Sequence, residues 1–205
     1  MKKGYLWLPL VFFIAFSAQS ANAVLMDFEN LDYGATYNEP NSFYASGIEI
    51  LVGVFYPYGG GDPVSGGEVS VGNSGLAGMS GNELELDNVN LHFLLGDSGC
   101  LYCGYVSLFF GYEQGQVNLG INGTRGEYLS IYDIPENIGG ASVKVIGNGA
   151  FGAMMVINGS IDIFSIGGQE LVIDSVFACE GIPEPTTIAL LGLGGLSLLR
   201  VRKKN

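Results

Sequence analysis

The chain has 205 residues, 33 of them glycine, and a net formal charge of −12. Glycine inside a helix costs about 1 kcal/mol relative to alanine, so this composition excludes a bundle of long helices. The apolar fraction of 48% excludes a disordered chain. Residues 24–181 hold nineteen acidic residues and two basic ones, Arg125 and Lys144, a net charge of −17. The basic surface that nucleic-acid binding requires is therefore missing from the sequence.

The N-terminus has the three parts of a secretory signal peptide, in residues 1–23. Two lysines come first, an apolar stretch follows over residues 6–16, and Ala21-Asn22-Ala23 matches the A-x-A cleavage pattern. The apolar stretch is shorter than the roughly 20 residues of a permanent span. We therefore predict a signal helix that signal peptidase removes after Ala23, which leaves Val24 as the first mature residue.

The middle of the chain, residues 24–181, is predicted to form one extracytoplasmic domain of short strands. Apolar and polar residues alternate there with a period of two, which indicates strands with one buried face. The apolar sets begin at Ile48, Leu84, Val106, Val117, Leu129, Val143, Ile161 and Leu171. Turn signals separate them at Gly59-Gly60-Gly61, Asn122-Gly123, Asn148-Gly149, Asn158-Gly159 and Gly167-Gly168. We predict an all-β fold, a β-sandwich or jelly roll of about nine or ten antiparallel strands, with a loop-rich flap over residues 56–82.

Three cysteines lie in this domain, Cys100, Cys103 and Cys179. The C-x-x-C spacing of the first two suits a redox or zinc site, but zinc needs four ligands and only His92 could join the three thiolates. In an oxidising compartment a disulfide fits better. Cys179 pairs with Cys100 or Cys103 in one arrangement, and Cys100 pairs with Cys103 in the other. Each arrangement leaves one thiol over.

The C-terminus, residues 182–205, has three ordered parts. It begins with the run Pro183-Glu184-Pro185-Thr186, continues with an apolar stretch over residues 187–201 and ends in a basic cluster. The basic residues are Arg200, Arg202, Lys203 and Lys204. Basic residues favour the cytoplasmic side, so the cluster acts as a stop-transfer signal and keeps the C-terminus inside while Val24 is outside. The fifteen residues 187–201 cover roughly 22 Å of a hydrocarbon core of about 30 Å, which predicts a short transmembrane helix.

This arrangement resembles the PEP-CTERM sorting tail of exported proteins in Gram-negative bacteria that make exopolysaccharide. The resemblance rests on residues 183–186, the apolar stretch and the basic cluster. It implies recognition by an exosortase, a transpeptidase-like membrane enzyme, with processing near the Pro-Glu-Pro run. On that basis the helix is a transient anchor, and the processed domain is finally located at the cell surface or in the extracellular matrix.

The ends of the middle domain resemble galactose-binding-type jelly rolls. The segments that carry this resemblance begin at Met26, Tyr44 and Glu170. In such folds the first and last strands run close together and often share a structural calcium ion, which the resemblance places at Asp27, Glu29 and Asp174. Calcium requires six to eight oxygen ligands, more than three carboxylates supply, and the alternative is that these are ordinary strand carboxylates facing solvent.

Three functions are compatible with the sequence. The first is a non-catalytic surface or matrix protein associated with exopolysaccharide. The second is a carbohydrate-binding module that uses exposed rings, with Tyr56, Tyr58 and Tyr102 as candidates. The third is a glycan-cleaving enzyme, for which Glu83 and Glu85 on one strand face are the candidate carboxylates. No serine-hydrolase or zinc-protease motif occurs, so we expect the domain not to be an enzyme.

Overall fold

The computed structural model describes residues 23–78, 81–95, 103–147 and 152–180, without the side chains of Glu113 and Glu180. Most of these residues lie in strands. In chain order they are β1 (Ala23–Met26), β2 (Thr36–Asn38), β3 (Ser42–Ala45), β4 (Ile48–Val54), β5 (Glu68–Gly72), β6 (Glu83–Asp87), β7 (Val89–Leu94), β8 (Cys103–Ile121), β9 (Thr124–Tyr128), β10 (Asn137–Ile138), β11 (Ala141–Ile146), β12 (Ala153–Ile161) and β13 (Ile163–Glu180). A 3-10 helix, Ile131–Asp133, lies between β9 and β10. Among the described residues there is no α-helix, and none of them forms a helix able to cross a membrane.

All thirteen strands belong to one antiparallel sheet organised around its two longest strands, β8 and β13. One edge of β13 pairs with β8 along nearly its whole length. The other edge pairs in succession with β7, β6 and β1. The other edge of β8, away from β13, pairs with β12 and then with β9. The all-β, antiparallel prediction is confirmed, with thirteen strands where about nine or ten were predicted.

The long strands divide the sheet into two arms. The first arm contains β3, β4, β7 and β9 with residues 117–121 of β8 and 163–168 of β13. The second arm contains the remaining strands with residues 103–114 of β8 and 170–180 of β13. The register between β8 and β13 shifts between Gly168 and Leu171, where one arm passes into the other.

One hydrophobic core serves both arms. Phe93 and Phe164 of the first arm stack with their ring centroids 5.2 Å apart. Phe110 and Ile157 of the second arm are fully buried in the same cluster. Apolar and polar side chains alternate along each strand, so one face of each arm contributes to this core and the other face carries mainly polar residues.

Two of the five predicted turns are parts of continuous strands. Asn122-Gly123 does form the tight turn between β8 and β9, with positive φ angles of 51° and 79°. Gly167-Gly168 was predicted as a turn, but β13 runs through it because β7 and β8 hold both of its edges. Asn158-Gly159 is likewise inside β12, at a register irregularity with β8. A dipeptide signal is overruled here by pairing on both sides of the strand.

Two further predictions need correction. The set at Leu129 was predicted as a strand, but Ile131 begins the 3-10 helix, whose first turn is capped when Ser130 accepts a hydrogen bond from the Tyr132 amide. The flap over residues 56–82 contains β5, which pairs with β2 and β6. The signal helix, the Asn148-Gly149 turn and the C-terminal helix lie outside the described residues.

Candidate functional site

An acidic groove crosses the outer face of the second arm. Its volume is about 460 Å³, and β5, β6 and β13 line it. Glu68 lies directly opposite Asp87, while Glu85 and Glu170 line the same groove. Like charges on paired strands repel, so the groove carries an electrostatic cost that a cation would relieve. Even so, no three acidic, histidine or cysteine side chains among the described residues come close enough together to hold a metal ion.

The two carboxylates considered for catalysis have different environments. Glu83 is fully buried and accepts hydrogen bonds from the Ser74 hydroxyl (2.7 Å) and the amides of Gly75 (2.9 Å) and Ala77 (3.1 Å). Its side chain therefore holds the loop 74–78 against the sheet. Glu85, two residues along the same strand face, is half-buried and lines the acidic groove. The structure does not present the pair as two accessible carboxylates.

The loop that Glu83 holds lies directly on β8. A Cβ atom added to Gly111 would be 2.4 Å from the carbonyl carbon of Leu76, so only glycine permits this approach. The carbonyl of Leu76 in turn accepts a hydrogen bond from the Gly152 amide at 3.0 Å. The loop is thus attached to β6, β8 and the segment before β12.

Two of the carboxylates predicted to bind calcium already accept hydrogen bonds from backbone amides. Asp27 accepts a hydrogen bond from the Glu29 amide (3.3 Å), and Glu29 accepts one from the Asn82 amide (3.0 Å). Asp174 is buried, and burial raises the pKa of its carboxyl. Bonds from Ser175 oppose that rise in pKa, while the negative charges of Glu83 and Glu29 add to it. Glu29 and Asp174 therefore lie within electrostatic range of each other, but Asp27, Glu29 and Asp174 do not meet in one group able to hold a metal ion by themselves. The calcium site stays a prediction.

On the first arm, a cation lies over an aromatic ring. The guanidinium of Arg125 is 3.3 Å from the centroid of the Tyr56 ring and bonds to Glu127 at 2.9 Å. His92 lies nearby on β7, beside Gly53, whose missing side chain leaves room for the imidazole. Burial lowers the pKa of His92, and the positive charge of Arg125 lowers it further. One face of Tyr56 is covered, which leaves it a poor platform for a sugar.

Two buried amides fix the segment that carries Tyr56 and Tyr58. Asn118 accepts from the Tyr56 amide and donates to the Tyr56 carbonyl, at 2.9 and 2.7 Å. Asn90 donates to the carbonyl of Val54 at 2.6 Å and to Asn118 at 3.0 Å. The Tyr58 amide donates to Gln116, and its ring stays half exposed. The segment after β4 is thereby attached across the first arm.

A second groove, of about 640 Å³, lies beside β11 at the other end of the second arm. We call it the tyrosine groove; its lining includes Tyr132, Glu136, Asn137, Ser142, Lys144 and Asn158. Sequence reasoning missed it, because these residues come from four separate elements and match no motif. The one usable signal was Lys144, one of two basic residues in the acidic middle of the chain.

The cysteines lie near one another in the strand register. Cys103 is buried, and its thiol lies 3.0 Å from the carbonyl of Tyr105 and 3.3 Å from that of Cys179. Cys179 pairs with Tyr105, and Cys103 pairs with the next residue of β13. No disulfide is found within the described residues, and Cys100 lies outside them. The strands β8 and β13 thus bring Cys103 and Cys179 close together, as one of the two predicted arrangements requires, and no disulfide joins these two.

Several predicted functional residues lie outside the described residues. They are Ala21 of the cleavage pattern, Tyr102, the sorting run Pro183, Glu184, Pro185 and Thr186, and the basic cluster Arg200, Arg202, Lys203 and Lys204. Ala23 is described and begins β1, where it pairs with Cys179.

Comparison with known proteins identifies the tail. Residues 181–204 match the family model of the PEP-CTERM protein-sorting motif. No curated protein and no solved structure matches the chain. An all-β domain followed by this motif defines an exported protein with a C-terminal sorting signal. The chain carries a PEP-CTERM protein-sorting motif at residues 181–204, and this motif implies exosortase-dependent sorting and processing of the signal.

Proposed function

We propose that this protein is a non-catalytic surface or matrix component, which remains with exopolysaccharide after exosortase has processed its tail. The match of residues 181–204 to the sorting motif carries this proposal. The strand arrangement supports it, because β13 ends at Glu180, directly before the matched residues. Everything from β1 to β13 is then cargo.

The pairing of β1 with β13 suits a chain that is processed at both ends. Ala23 lies opposite Cys179, so the signal peptide and the sorting tail leave the domain from adjacent strands. Both membrane segments can then enter the bilayer from the same end of the domain. This agrees with the topology expected from a cleaved signal and a basic C-terminus.

A non-catalytic cargo is the simplest interpretation of the candidate catalytic groups. Glu83 is buried and bonded to a loop, which makes it a structural carboxylate. Burial lowers the pKa of His92, the one histidine in the chain, and the charge of Arg125 lowers it further, which disfavours the protonated imidazole that a general acid needs. No pair of accessible acid and base groups is left among these candidates.

We also propose that the domain is a sandwich-like jelly roll. Two arms that share one core, with first and last strands paired, agree with a sandwich-like domain of the galactose-binding jelly-roll kind. Such domains act by presenting loops and faces to a ligand, which suits a protein held in a polysaccharide matrix.

The mass of the released protein tests the proposal. Cells with exosortase activity should release a form that lacks the residues after the Pro-Glu-Pro run, found with the exopolysaccharide fraction. Cells without the enzyme should retain the full tail in the membrane. A double variant, Pro183→Ala with Pro185→Ala, should behave as the wild type does without the enzyme. Full-length protein in the membrane of exosortase-active cells would contradict the proposal.

A further inference from the structure

The tyrosine groove combines an aromatic ring with hydrogen-bonding side chains on a rigid support. Tyr132 is 51% exposed, and its ring meets that of Tyr112 edge to face, with centroids 6.4 Å apart and an interplanar angle of 78°. The Tyr112 hydroxyl donates to the carbonyl of Gly115. Ser130 caps the 3-10 helix that carries Tyr132. The exposed ring is therefore held in place before any ligand arrives, which reduces the entropy cost of binding.

Polar groups surround that ring on the neighbouring strands. Ser142 lies opposite Asn158 on β12 and opposite Asn137 on β10, which places a hydroxyl and two amides in one row. Glu136 fixes the start of this row, because its carbonyl accepts a hydrogen bond from the Val143 amide at 2.8 Å. Hydroxyl and amide side chains both donate and accept, as the hydroxyl groups of a sugar do.

The shape and charge of the groove narrow the choice of ligand. A volume of about 640 Å³ lies within the range of ligand sites, about 300–1,000 Å³. The surrounding domain carries a net charge of −17 in residues 24–181, so a polyanion would be repelled. One lysine, Lys144, shares the groove with the acidic Glu136 and does not reverse that field. An uncharged ligand with an apolar face and many hydroxyls fits best.

We propose that the tyrosine groove binds a neutral hexose unit of a polysaccharide, with the apolar face of the sugar stacked on Tyr132. This inference rests on the proposed function, because it names the contact by which the exported domain would remain with exopolysaccharide. Asn137, Ser142 and Asn158 bond the sugar hydroxyls. The rings that the sequence suggested, Tyr56 and Tyr58, lie on the first arm and take no part.

Affinity gels and calorimetry with the exported protein test the proposal. The probes are neutral polymers (dextran, a galactan and a mannan) and polygalacturonate as the anionic one. At least one neutral polymer should bind, with an affinity that changes little with salt. Tyr132→Ala should weaken binding by roughly tenfold, and Tyr132→Phe should retain it, since stacking needs the ring alone. Tyr44→Ala, which removes a 59% exposed tyrosine from the first arm, is the matched control and should bind normally.

Four outcomes of these binding measurements would contradict the proposal. Failure of all neutral polymers to bind, binding of polygalacturonate alone, or unchanged binding by Tyr132→Ala would each overturn the inference. So would loss of binding in Tyr58→Ala with Tyr132→Ala unaffected. If Tyr132→Ala does not fold, Asn158→Asp at the edge of the same row should still lower affinity in a folded protein. A correctly processed protein that binds no polymer sinks this inference alone, whereas an unprocessed tail sinks the proposed function.

Discussion

Replacing Glu83 by alanine tests the assignment of this carboxylate as a structural group. The change removes the acceptor for three donors, from Ser74, Gly75 and Ala77. Only the Ala77 bond is wholly buried, so its amide would lose its partner without gaining water. The Ser74 and Gly75 donors lie nearer the surface and would be partly rehydrated.

The magnitude follows from these three bonds. A hydrogen bond to a charged group contributes about 1.5–3 kcal/mol, and a buried donor left unsatisfied costs about 1–3 kcal/mol. Allowing for rehydration of the two outer donors, Glu83→Ala should lower the free energy of unfolding by about 2–4 kcal/mol. For a domain of this size that corresponds to a fall in Tm of roughly 4–16 °C. Glu83→Gln, which retains one acceptor oxygen, should lose about half as much.

Thermal and urea unfolding, followed by circular dichroism, provide the measurement. Glu85→Gln is the matched control, because Glu85 shares the strand and the face but is half-buried and lines the groove. It should change stability by less than about 0.5 kcal/mol. Equal effects of Glu83→Ala and Glu85→Gln would refute the structural role. Glycan-cleaving activity that disappears in Glu83→Gln would refute the non-catalytic assignment.

Three further predictions concern titration and processing. The chain has a single histidine, so proton NMR should show one imidazole titration, with a midpoint for His92 below 6.5. Arg125→Gln should raise this midpoint part of the way towards 6.5, and Lys144→Gln should leave it unchanged. A midpoint that Arg125→Gln does not move would contradict the effect of the Arg125 charge. Because the pKa of Asp174 is raised above 3.8 in the fold, its charge destabilises the domain as pH rises through the raised value. Asp174→Asn should therefore raise Tm at pH 7 and lose this advantage below pH 3.8, and an equal gain at both pH values would argue against it. Deleting residues 181–182, which separate the end of β13 from the Pro-Glu-Pro run, should slow tail removal in pulse-chase labelling, while a four-residue Gly/Ser insertion there should not; normal processing of the deletion variant would contradict the prediction.

Local sequence patterns predicted a strand or turn correctly where no pairing with a distant strand overruled them. The alternation from Ile48 to Val54 became β4, with Ile48, Ile50 and Val52 buried, and Asn122-Gly123 became a tight turn. Glycine pairs inside longer strands misled the prediction, because the same dipeptide fits a turn or a strand that is paired on both edges. Gly167 is a further case: its missing Cβ leaves room for the Asn90 side-chain oxygen, a contact between strands that no local pattern records.

The environment of each carboxylate came from tertiary structure. Glu83 and Glu85 have the same side chain and the same strand face, but only Glu83 lies beneath the loop 74–78. Burial and hydrogen bonding depend on which distant segment crosses a residue, and the sequence around the two glutamates does not contain that information. The tyrosine groove depends in the same way on contacts between separate elements.

The sequence by itself revealed the sorting motif and predicted the signal peptide. Each is one continuous segment, and the enzymes that process such signals act on short segments, so order and spacing are enough to recognise them. Tertiary structure alone decided which polar side chains are buried supports and which line a groove. Glu83 is in the interior because the loop 74–78 crosses β6 and bonds to its carboxylate, whereas Tyr132 lies on the 3-10 helix with half of its surface exposed.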